Sequence, residues 1–86
     1  MKSLIKNYIE LLTIDKLKEF ASKNNIILNN NEIEYLLNLV KNNYEDILKD
    51  DTIYLENIKN NINPSEYEKL KNLYLYYKNK YKGYLF

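Results

Sequence analysis

The stretch "NPSEYEKLKNLYLYYKNKYKG", residues 63–83, decides the fold. Asn63 is a good helix N-cap, because its side-chain oxygen accepts an orphan backbone N–H of the first turn. Pro64 suits the first helical position, where its missing N–H costs nothing. Glu66 faces the positive end of the helix dipole, and Gly83 supplies a C-terminal stop. Tyr67, Leu70, Tyr74, Tyr77, Tyr81 and Tyr84 recur at spacings of 3, 4, 3, 4 and 3. That is one stripe along a helix over residues 64–82, widened on one side by Leu73.

The same period runs back through the chain. Leu4, Ile5, Tyr8, Ile9 and Leu12 share one face of a helix over about residues 3–12. Thr13 caps a second helix, with Asp15 in its first turn and Leu17, Phe20 and Ala21 on its apolar side. That helix stops near Asn24 and Asn25, since asparagine tolerates left-handed backbone better than most residues. Residues 26–28, "IIL", are too short for a useful strand without a partner, and read as an extended connector with apolar side chains turned to the core. Asn31 and Glu34 have capping-box spacing and open a third helix carrying Ile33, Leu36, Leu37, Val40 and Tyr44. Ile47 and Leu48 suggest a short helical turn ending at Lys49. Asp51 or Thr52 then caps a fourth helix bearing Tyr54, Leu55, Ile58 and Ile62. The expectation is an all-α, single compact domain over residues 1–86, with four to five short helices and a longer C-terminal helix.

Composition bounds the chemistry. At 86 residues the chain removes roughly 60–65% of its unfolded surface on folding, enough for a modest core. With 45% hydrophobic and 29% charged residues it reads as globular rather than disordered. There is no Cys and no His, which removes thiolate nucleophiles, imidazole bases and the commonest zinc ligands. All 13 basic residues are lysines, so a bidentate guanidinium grip on phosphate or guanine is absent. The one glycine excludes a phosphate-cradling glycine loop. The carboxylate pairs Glu32/Glu34, Asp50/Asp51 and Glu66/Glu68 are explained by helix starts and boundaries, with no oxygen-rich loop around them. We therefore expect no enzyme, no cofactor and no metal. No apolar run approaches the ~18 residues of a membrane span, and the N-terminus lacks a signal-peptide pattern, so a cytoplasmic setting without membrane contact is expected.

Charge is unevenly placed beneath a net +1. Residues 44–56 carry five acids against Lys49, a net −4, while residues 69–86 carry five lysines and no acid, a net +5. The acidic stretch folds back beside the basic helix or pairs with it on a second molecule. Lys, Asn, Ile and Tyr are all encoded by AT-rich codons, so tyrosine abundance carries little weight beside tyrosine placement. Leu75 and Tyr76 lie off the stripe and are expected to be exposed. Together with Tyr81 and Tyr84, at the helix end where a small core should stop, they form the expected contact surface for a protein partner or a second copy. An alternative is weak nucleic-acid binding through Lys69, Lys71, Tyr76, Lys78, Lys80 and Lys82, a phosphate-tracking set around one stacking ring.

Residues 12–40, "LTIDKLKEFASKNNIILNNNEIEYLLNLV", followed by residues 62–74, "INPSEYEKLKNLY", resemble the YqfT-like domain of unknown function, a family of small proteins from low-GC Gram-positive bacteria. Thr13, Leu17, Ile26, Leu28, Ile62, Asn63, Pro64 and Glu66 carry the resemblance, which covers roughly residues 5–75. It implies a helical domain and brings no activity, ligand or catalytic residue.

Overall fold

The computed structural model describes the backbone of residues 2–85 and the side chains of residues 6–80. Five helices follow one another: α1 (Lys2–Leu11), α2 (Ile14–Lys23), α3 (Asn30–Lys49), α4 (Thr52–Asn61) and α5 (Pro64–Leu85). No strand occurs among the described residues. The domain is all-α, as the periodicity requires.

Local chemistry sets most boundaries. The backbone N–H of Lys16 donates to Thr13 Oγ1 at 3.2 Å, so Thr13 caps α2. At the other end Asn25 adopts φ 60°, in the left-handed region. The N–H of Ile26 then donates to the Ala21 carbonyl and that of Asn25 to the Ser22 carbonyl, the paired bonds of a Schellman ending. This turn aims Ile26 inward, where it is 2% exposed, while the next residue of the extended connector, Ile27, is 78% exposed. The connector thus contributes one fully enclosed side chain, with Leu28 half-buried.

Three boundaries differ from expectation. The capping box of α3 lies two residues earlier than Asn31 and Glu34. Asn29 N–H donates to Glu32 Oε1 (2.9 Å), and Glu32 N–H donates to Asn29 Oδ1 (2.8 Å). Asn31, with equivalent spacing, is already inside the first turn. Ile47 and Leu48 form no separate turn; they belong to a 20-residue α3 that runs unbroken to Lys49. Gly83 does not stop α5, which continues to Leu85. Nothing forces glycine out of a helix, because it populates right-handed backbone as readily as left-handed.

At 1.5 Å per residue, α3 and α5 are each about 30 Å long, close to the 31 Å longest dimension of the molecule. The last helix therefore lies along the body. The shorter helices pack around these two rods. Buried apolar side chains are Leu12, Ala21, Ile26, Ile33, Leu36, Ile62 and Tyr67. Most of them gather where α2 ends, α3 begins, α4 ends and α5 begins. Ile33, 1% exposed, is the most fully enclosed of them, and enclosing such a side chain contributes about 2–3 kcal/mol.

Glu32 ties this end together. Its Oε2 accepts the backbone N–H of Asn63 at 2.8 Å, so one carboxylate serves the starts of both long helices. Asn63 in turn caps α5, accepting from the N–H of Ser65 at 3.0 Å. Loss of a cap and of hydrogen bonds to a charged acceptor predicts that Glu32→Ala costs about 2 kcal/mol and lowers the thermal midpoint by roughly 10 °C. Asn31→Ala is expected to stay within about 0.5 kcal/mol of the parent. Thermal and urea unfolding of the two variants measure the difference.

Candidate functional site

Seen from α5, the single stripe divides between two neighbours. Tyr67, Leu70 and Tyr74 face a space shared with α3 and α4. Tyr77 instead meets α2, its ring centroid 6.2 Å from that of Phe20, and remains 37% exposed. Lys69 reaches the turn that follows α2, donating to the Asn25 carbonyl at 3.1 Å while pairing with Glu66 at 3.2 Å. A 22-residue helix in a five-helix domain has more than one neighbour, so its packed arc is broader than one 3-4 line.

The expected contact residues separate accordingly. Tyr76 is 57% exposed, as its position off the stripe requires. Leu75 is half-buried rather than exposed. On the helical wheel it lies next to Lys71, beside the packed arc, which accounts for the difference. The side chains of Tyr81, Tyr84 and Lys82 lie outside the described residues. Tyr76 and Tyr77 pack edge to face at 5.2 Å, and the Lys80 ammonium sits 5.8 Å from the centroid of the Tyr76 ring. Tyr76 with Lys80 is the part of the predicted flank that the fold keeps together, and Tyr77, expected in the packed stripe, joins it at the surface.

The other lysines point elsewhere. Lys78 makes a 2.6 Å ion pair with Asp51, and Tyr74 donates its phenolic hydrogen to the same oxygen at 2.9 Å. The acidic stretch thus folds back on the basic helix within one chain at this point. Asp51 was a candidate cap for α4, yet its side chain makes no cap bond. Asp50 takes that role, its Oδ1 accepting from the N–H of Thr52 at 3.1 Å. Freed from capping, Asp51 anchors α5 to the α3–α4 joint.

A carboxylate, a phenol and an ammonium in contact invite an acid–base reading. The electrostatics oppose it. Burial alone would raise the Asp51 carboxyl, but the bonds from Lys78 and Tyr74 and the Lys78 charge together hold it below its ordinary value. Burial, and then the Asp51 carboxylate, push the Tyr74 phenol well above its ordinary range. Both groups move away from neutrality, whereas a proton-transferring group works best with a pKa near the operating pH. Asp51 and Tyr74 form a clamp.

Next to the clamp lies a cavity of about 280 Å³, part-open to solvent and walled almost wholly by apolar atoms. Val40, Ile47 and Leu48 of α3, Leu55 and Ile58 of α4, and Leu70 of α5 supply most of its aliphatic wall, with Leu36 of α3, Ile9 of α1 and Leu17 of α2 completing it. Asp51 and Lys71 are its charged wall residues. Sequence periodicity identified most of the aliphatic residues as inward-facing. It carries no signal for whether the space they face is filled.

Comparison with protein-family models, with curated proteins and with solved structures finds no match to this chain. The resemblance to the YqfT-like family therefore rests on its motif residues alone. Among the described residues no helix is long and apolar enough to cross a membrane.

The clamp has a pH signature. A lowered Asp51 pKa stabilises the fold above the ordinary carboxylate range, and that contribution is lost as pH falls through the lowered value. A raised Tyr74 pKa stabilises below the ordinary phenol range, with loss as pH rises towards the raised value. Asp51→Asn is expected to shrink the acid limb of the stability curve and to cost about 1–3 kcal/mol at neutral pH. Urea unfolding of parent and variant across pH checks both effects.

Proposed function

We propose that this chain is a non-enzymatic binding domain that contacts another protein, in the first instance a second copy of itself, through the Tyr76–Tyr77 face of α5. The observation behind this reading is the 57% exposed Tyr76 ring, held edge to face against Tyr77 with Lys80 beside it. Tyrosine supplies a large, stiff, amphipathic contact at low entropic cost and is enriched at protein interfaces. A ring already oriented by its neighbours loses less freedom on docking than an isolated one.

Nucleic-acid binding has less support. Lys69 and Lys78 are engaged with Glu66 and Asp51, and Lys71 lies along the cavity wall. With those three lysines committed elsewhere, little of the set is left for the continuous basic track that electrostatic binding along a phosphate backbone needs.

Sedimentation velocity over a wide concentration series tests the proposal. The parent chain is expected to show concentration-dependent association, and Tyr76→Ala to weaken it by about tenfold, the effect of losing one interface anchor. A strict monomer at every concentration would sink self-association.

A further inference from the structure

We propose that the cavity between α3, α4 and α5 binds a small monoanionic amphiphile, with its apolar body inside and its acidic head at Lys71. The site is separate from the Tyr76–Tyr77 face, and either can fail without the other.

Three features point to this occupant. The first is the wall. A buried water needs two to four polar partners, and a cavity walled by apolar carbon, aliphatic and aromatic, holds water poorly while remaining open to apolar molecules. Here the wall has almost no polar atoms. The second is size. An apolar cavity of about 150 Å³ takes a six-carbon ring, so by proportion 280 Å³ corresponds to a body of roughly eleven carbons. The third is charge. Of the two charged wall residues, Asp51 is already bound to Lys78 and Tyr74. Lys71 is half-buried and makes no ion pair or hydrogen bond among the described residues. Lys71 lends its alkyl stem to a wall with almost no polar atoms, so its ammonium lies at or outside the rim, and a cation there favours a ligand that brings a negative head and an apolar body together.

Other acids of the α3–α4 region oppose an anion. Asp46, Asp50 and Glu56 are, however, solvent-exposed, and salt screens exposed charges beyond about 8–10 Å. Contact with Lys71 is short-range and survives that screening.

Decanoate, decan-1-ol and decyltrimethylammonium share one tail length and differ in head charge. They are titrated into the full chain below their micelle-forming concentrations and followed by calorimetry and by two-dimensional NMR. Decanoate is expected to saturate one site, with the largest shifts at Val40, Leu55 and Ile58, and to bind about fivefold tighter than decan-1-ol. Lys71→Gln is expected to remove that preference while leaving the alcohol's affinity unchanged. Ile58→Phe fills the cavity and is expected to abolish binding of both; Val40→Leu serves the same purpose if the larger side chain prevents folding. Absence of saturable decanoate binding overturns the proposal. So does equal affinity for all three heads, or undiminished binding in a folded, cavity-filled variant.

Discussion

The carboxylate of Glu32 holds the starts of the two long helices together. It accepts one backbone N–H at the entry to α3 and another at the entry to α5, the second thirty-one positions along the chain from Glu32 itself. With those two ends joined, the Asn25 turn and the end of α4 are drawn into the same place, and Ile26, Ile33, Ile62 and Tyr67 become enclosed. Helix starts are well suited to this, because their unpaired N–H groups need acceptors and their dipoles favour a negative charge. One acidic side chain meets both needs at once.

The other end of the molecule is organised differently. There Asp51 ties α5 to the α3–α4 joint through Lys78 and Tyr74, and the apolar side chains between the helices leave space unfilled. α4 has no buried residue along its length. The domain is thus packed at one pole and loose at the other, with the transition along α5. A small chain has little apolar material to spend on its interior. An exposed tyrosine pair and an apolar cavity on the same helix are surfaces that the core has not used, and functional readings begin from them.

Charge follows the same division. The net −4 of residues 44–56 and the net +5 of residues 69–86 meet through Asp51 and Lys78, which orients α5 along the molecule. The ion pair has two further consequences. It removes Lys78 from any basic surface, and it leaves Lys71 as the charged residue of the cavity wall without a counter-ion among the described residues.

Helix identity was legible in the chain because it is a local property. The Thr13 cap, the left-handed Asn25, the Asn63–Pro64 start of α5 and the inward faces of α2, α3 and α4 follow from spacing and from backbone chemistry within a few residues, whereas Tyr8, expected on the inward face of α1, is 62% exposed. Where two equally good local choices stood side by side, as with Asn29–Glu32 and Asn31–Glu34, the choice fell to a contact from far along the chain, the N–H of Asn63. The same holds for Asp51, whose local role as a cap gave way to a tertiary one. Periodicity also placed Val40, Leu55, Ile58 and Leu70 on inward faces. The distance between those faces decided that they line a cavity, because a one-dimensional pattern records which way a side chain points and not how much room it finds there.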